Sequence, residues 1–162
     1  QTDNDCLEFG KGIIAGSKHA YTVGDGGFFV RAKLSIATVA GTDDCAVGFR
    51  KVEAYNAAID AYTDMAVLNV IAGAINIETI LNNAATTTTD TTQDIVDGAT
   101  VELTVKVDKN GVVTYLIDGV APTVTAAFTF DDGDVVVPFL FFLNAAGVAG
   151  QVVLQEWEVG AL

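Results

Sequence analysis

The residues best suited to chemistry are few and scattered. Glu156 and Glu158 stand two apart around Trp157, so on a strand their carboxylates share one face. Glycoside hydrolysis needs two carboxylates flanking a bond, one of them holding its proton. With Trp157 on the opposite face, this triplet reads instead as a closing strand with an aromatic anchor. That strand places Trp157 beside Val153, Gln155 and Val159. The single histidine, His19, lies in the polar loop Gly16 to His19 with no activated nucleophile motif beside it. Two cysteines and one histidine fall short of the four ligands of a structural zinc site. Cys6 and Cys45 permit one disulfide, and nothing in a chain of this size requires it.

Calcium is the metal to weigh. Asp131, Asp132 and Asp134 surround Gly133 and offer the oxygen ligands that calcium prefers. The same four residues make a good turn between apolar strands, and no glutamate completes an EF-hand loop. The expectation is a turn without metal, and no cofactor. No glycine-rich loop leads into a helix, so nucleotide binding has no support. Tyr55 and Tyr62, seven apart in one irregular stretch, are the best-placed aromatics for stacking on a sugar ring.

The elements that must position these groups are strands. Val101, Leu103, Val105 and Val107 alternate with Glu102, Thr104, Lys106 and Asp108, the period of a half-buried strand. Asp108 to Gly111 supplies a reversal, and Val113, Tyr115 and Ile117 return on the same buried face before a second turn at Asp118-Gly119. Further strands are expected at Phe28 to Val39, Ala46 to Ala54, Met65 to Val70, Ala74 to Asn82, Thr125 to Phe130, Val135 to Leu143 and Gln151 to Val159. The threonine run Thr86 to Thr92 suits an extended edge. Tyr55 to Asp64 reads as a loop with a turn of helix, and residues 1 to 27 as an irregular arm with a short edge strand at Leu7 to Phe9. Turn signals about every ten residues are the spacing of a β-sandwich.

The stretch DGATVELTVKVDKNGVVTYLIDGV, followed by an aromatic strand and VVVPFLFFLNAA, resembles the second half of a concanavalin A-like (laminin G-like) jelly roll. The similarity runs from about Gly26 to the C-terminus and is closest to variants in tailed-phage virion structural proteins, head decoration proteins among them. It implies one all-β jelly-roll domain over residues 1–162, a sandwich of antiparallel sheets.

Composition narrows the function. The 162 residues are 51% apolar with two prolines, enough for a full sandwich core. A net charge of −13 argues against nucleic acid, whose phosphates call for lysine and arginine. Val135 to Gln155 carries no charge, but Pro138, Asn144, Gly147 and Gly150 break it into two strands rather than a membrane span. Gln1 rather than methionine leads the sequence, which fits a processed or partial chain, and an upstream secretory leader is compatible with it.

Val135 to Leu143 is apolar on both faces and Met65 to Ile77 nearly so. Something must cover the second face: a neighbouring protein, or this chain's own arm and loops. Arg31, Lys33, Arg50 and Lys51 cluster in the first third and are the candidates for docking on an acidic neighbour. With the resemblance, these features lead to a non-enzymatic virion structural protein. It would be a bacteriophage capsid decoration (cement) protein that binds the major capsid protein as an oligomer, a trimer by analogy, on the capsid surface. The alternative is an extracellular carbohydrate-binding or adhesion module of lectin type.

Overall fold

A computed structural model describes residues 6–9, 20–145 and 151–162. The strands are β1 (Cys6–Phe9), β2 (Tyr21–Thr22), β3 (Phe28–Ile36), β4 (Thr42–Lys51), β5 (Met65–Ile71), β6 (Ala74–Ile80), β7 (Thr87–Asp94), β8 (Thr100–Val107), β9 (Val113–Ile117), β10 (Val135–Asn144) and β11 (Val152–Ala161). Most of them follow the alternation or an apolar run, with β7 the polar threonine run at the edge. The larger sheet runs β1-β10-β4-β5-β6-β7, with β2 beside β1 on the same edge of β10. The smaller runs β11-β3-β8-β9. Every pairing is antiparallel. The fold is an all-β jelly-roll sandwich, as the alternation and the resemblance lead one to expect. Val135 to Gln155 divides between β10 and β11, and no helix among the described residues is long and apolar enough to cross a membrane.

The core lies between the sheets. Phe28, Val30, Leu34 and Ile36 of β3 and Leu103 and Val105 of β8 meet Val47 and Phe49 of β4, Leu68 and Val70 of β5, and Leu140 and Phe142 of β10. The hairpin β8–β9 pairs Val105 with Tyr115 and Leu103 with Ile117, so the alternation read from the sequence faces inward.

Two expectations are corrected. Thr125 to Phe130 is not a strand: it meets the edge at the start of β9 through the isolated bridge of Val112 with Thr129 and the bond from the Val113 N–H to the Phe128 carbonyl. Trp157 shares its face with Val152, Leu154 and Val159 and not with Val153 or Gln155, because the register slips between Leu154 and Glu156. That bulge reverses the alternation, leaving Val153 47% exposed. Trp157 is half-buried and meets Phe9 of β1 edge-to-face at 5.5 Å, bridging the two sheets at their margin. The turn of helix expected in the irregular stretch is present as a single 3-10 turn, Ile59–Ala61.

Cys45 is buried with a free thiol, which burial pushes up to about 12. Strand β10 lies between β1, which carries Cys6, and β4, which carries Cys45. His19 and residues 146–150 lie outside the described residues.

Candidate functional site

The outer face of the larger sheet, turned away from the core, divides into an apolar half and a polar half. The apolar half consists of Ala46, Met65, Val67, Ile80, Phe139 and Phe141, and it is covered by Ile59 and Tyr62 from the segment between β4 and β5. That segment is clipped down by Glu53, whose carboxylate accepts from the Thr63 N–H at 2.8 Å and the Thr63 hydroxyl at 3.0 Å. Asp64 accepts from the Asn82 N–H at 2.8 Å and pairs with Lys51 at 3.5 Å. The chain's own loop thus covers the two-sided strands.

Under that loop sits Arg50, which has no exposed side-chain surface. Its Nε and Nη2 donate to the two oxygens of Glu8 at 3.1 and 2.6 Å, and Nη1 donates to the carbonyls of Lys51 and Glu53. The guanidinium lies 4.6 Å from the centre of the Tyr62 ring, and the Tyr62 hydroxyl donates to Glu8. Burial, then this bond, raise the Tyr62 pKa. A fork of donors matched to carboxylate and carbonyls is how a buried guanidinium is satisfied.

The other basic candidates are also engaged within the chain. Arg31 reaches Glu158 at 2.8 Å, Glu102 at 3.2 Å and Glu156 at 3.7 Å, and Lys33 reaches Glu156 at 3.7 Å. Lys51 donates to Asp134 at 2.6 Å. Hence Glu156 and Glu158 serve as cross-strand partners of Arg31 on the outer face of the smaller sheet. Asp131 accepts from Asn82 at 2.9 Å while Asp134 is held by Lys51, so these aspartates are drawn to different partners. Among the described residues no group of three or more histidine, cysteine or acidic side chains is arranged to hold a metal ion.

The polar half was not singled out in the sequence reading. It crosses four strands as a diagonal: Asp44 on β4, Asn69 on β5, Glu78 on β6 and Thr88 on β7. The Asn69 side-chain amide donates to Asp44 at 2.7 Å and to Glu78 at 2.8 Å, and its oxygen accepts from the Cys45 N–H at 3.0 Å. The Thr88 hydroxyl donates to the other Glu78 oxygen at 3.1 Å. Burial pushes the Asp44 carboxyl up to about 6, opposed by the Asn69 bond and helped by negative Glu78, Asp60 and Asp43. A signal was present: Asn69, Asn76 and Glu78 interrupt two apolar strands at alternate positions, marking one face.

The raised Asp44 value sets a pH dependence. Asp44 holds its proton to higher pH folded than unfolded, where a carboxyl titrates near 3.8. Its contribution to stability therefore falls as pH rises from about 4 to about 6. Asp44→Asn, which keeps an acceptor for Asn69, is expected to be more stable than the parent above about pH 6. The gap should close toward about pH 4 in urea midpoints measured across that range.

No family model matches this chain, and no curated protein matches it. Solved structures do. The carbohydrate binding module CBM66 from Bacillus subtilis aligns with 99% of this chain and 84% of its own, at 14% identity and a TM-score of 0.61. The carbohydrate recognition domain of Emp47p aligns with 98% of this chain and 79% of its own, at 13% identity and 0.66. An alginate lyase from Pseudomonas aeruginosa aligns with 89% of this chain and 68% of its own, at 13% identity and 0.60. At these identities the likeness is one of fold.

Proposed function

We propose that this chain is a non-catalytic carbohydrate-binding module, with its site on the polar half of the larger sheet's outer face. The observation that carries the reading is the diagonal Asp44, Asn69, Glu78, Thr88: hydrogen-bonding groups held rigid across four strands, beside a loop that carries half-exposed Tyr55. Asn69 is fully buried with both amide hydrogens engaged, so it fixes Asp44 and Glu78 in place. The half-buried Asp44 carboxylate and the exposed Thr88 hydroxyl are the groups that meet sugar hydroxyls, and an aromatic at the margin suits the apolar face of a ring. That solved structures of like fold include a carbohydrate-binding module and a carbohydrate recognition domain adds to the reading, and an extracellular setting goes with it as part of the proposal.

Binding is favoured over hydrolysis because both Glu78 oxygens already accept hydrogen bonds and the residue is buried. A general acid–base pair needs two groups within reach of a substrate. The capsid-decoration reading draws on the resemblance, on two-sided apolar strands that need a cover and on basic residues for docking. The strands are covered by residues 52–64, and all four basic side chains have partners within the chain.

The test is a glycan array followed by calorimetry on the best ligand, with Asp44→Ala and Thr88→Val. We expect binding that persists with calcium chelated and weakens about tenfold in either variant, the effect of losing about 1.4 kcal/mol. Silence across the array, with saturable attachment to undecorated phage shells, would instead support decoration.

A further inference from the structure

The smaller sheet ends at β9, and that edge is hydrogen-bonded at both ends and unpaired in the middle, where Tyr115 is 2% exposed and lines a slot. Val113 donates its N–H to the Phe128 carbonyl at 3.0 Å, and Ile117 exchanges hydrogen bonds with Val120 at 2.9 and 3.0 Å. In an antiparallel strand, alternate residues point their N–H and C=O to the same side. Val113 and Ile117 point away from β8, so Tyr115 between them does too. Among the described residues, neither its N–H nor its C=O has a backbone or side-chain partner.

The chain itself creates the gap. A ladder continued from Ile117 with Val120 would set Pro122 opposite Tyr115 and Thr125 opposite Val112. Proline has no N–H to give the Tyr115 carbonyl. The returning segment instead bows outward and rejoins the edge late, where Val112 bridges Thr129. Between edge and bow lies a cavity of about 330 Å³. Its apolar lining includes Ala121, Ala126, Ala127 and Phe128, and hydroxyl-bearing Thr114 and Thr125 also line it.

We propose that this slot is a second sugar-binding site, in which two adjacent hydroxyls of one pyranose ring engage the Tyr115 N–H and C=O. One hydroxyl accepts from the N–H while its neighbour donates to the carbonyl, a match that a vicinal pair can make because each hydroxyl serves in either role. The ring's C–H face then meets the alanines and Phe128. A cavity of this size lies at the small end of the ligand-site range, ~300–1,000 Å³, and so suits a single ring. The closed ends favour a compact ligand over an extended peptide, since a strand added opposite Tyr115 would meet Val120 and Phe128 two residues away on either side. The slot itself is read from the backbone alone; naming a sugar as its occupant rests on the carbohydrate-binding reading.

The experiment is a titration of the ¹⁵N-labelled protein, followed by the Tyr115 amide resonance. The probes are methyl glucoside, methyl galactoside and an N-acetylated, C-methylamidated alanine. The inference expects a saturable shift of Tyr115 with at least one glycoside, unaffected by Thr88→Val and lost in Ala127→Trp, whose melting curve shows whether the fold survives. Ala121→Trp serves if it does not. Shifts on β4 to β7 without Tyr115 would overturn the slot and leave the main site standing. A response at Tyr115 to the peptide mimic alone would also overturn it. Silence at every amide would remove both readings.

Discussion

Arg50→Ala is expected to destabilise the protein by about 3–5 kcal/mol, the usual consequence of removing one member of a buried ion pair. Alanine would leave the Glu8 carboxylate beside Tyr62 without its cation and the carbonyls of Lys51 and Glu53 without their donor. It would also open a void between Tyr62 and Phe139, the two rings that flank the guanidinium. The penalty should come from the uncompensated charge more than from lost attraction. Arg50→Met combined with Glu8→Leu should therefore recover most of the loss, since a packed apolar pair can replace a buried ionic one at little cost. Chemical denaturation of Arg50→Met, Glu8→Leu and the double variant gives the coupling directly. A double variant as weak as Arg50→Ala would show that the cluster acts through packing geometry and not charge.

Gly48→Ala should cost about 3 kcal/mol, the upper end of what overpacking does in a tight interior. Gly48 sits mid-strand on β4, between Val67 of β5 and Phe139 of β10. A Cβ there would lie 2.2 Å from the Ala66 carbonyl oxygen and 2.7 Å from the Val67 Cα. Both are backbone atoms of a hydrogen-bonded neighbour, so relief requires parting the strands. Gly119→Ala is the control: its φ is +79° but the space around it is open. Only conformational strain of about 1–2 kcal/mol applies there. Thermal unfolding of the two variants should rank Gly48→Ala as the more damaging, and the reverse order would mean that β4 and β5 are farther apart than described.

The sequence by itself determined the class of fold and the inward face of most strands. Val101 to Val107 and Val113 to Ile117 alternate with period two, and a pleated strand with one buried face has no other way to satisfy that pattern. It also determined the turns at Asp108 to Gly111 and Asp118-Gly119, because side-chain acceptors and positive φ are local properties: Gly111 is at +82° and Gly119 at +79°. Where the alternation is interrupted, sequence alone misleads, and Trp157 shows why. One residue of bulge at Gln155 exchanges the two faces of β11, and nothing local to Gln155 announces it.

The partners of the charges were decided by the tertiary structure. Arg50 reads as a surface cation in the sequence, yet it is buried because Glu8, 42 residues earlier, and the loop bearing Tyr62 close over it. The diagonal Asp44, Asn69, Glu78 and Thr88 was legible only as polar interruptions in apolar strands. That these four share a network depends on the order β4-β5-β6-β7 and on a register that sets Val67 opposite Glu78 and Glu78 opposite Thr88. Hydrophobic period is a property of one strand and can be read along it. Hydrogen-bond partnership joins side chains on different strands, and only the pairing of those strands settles it.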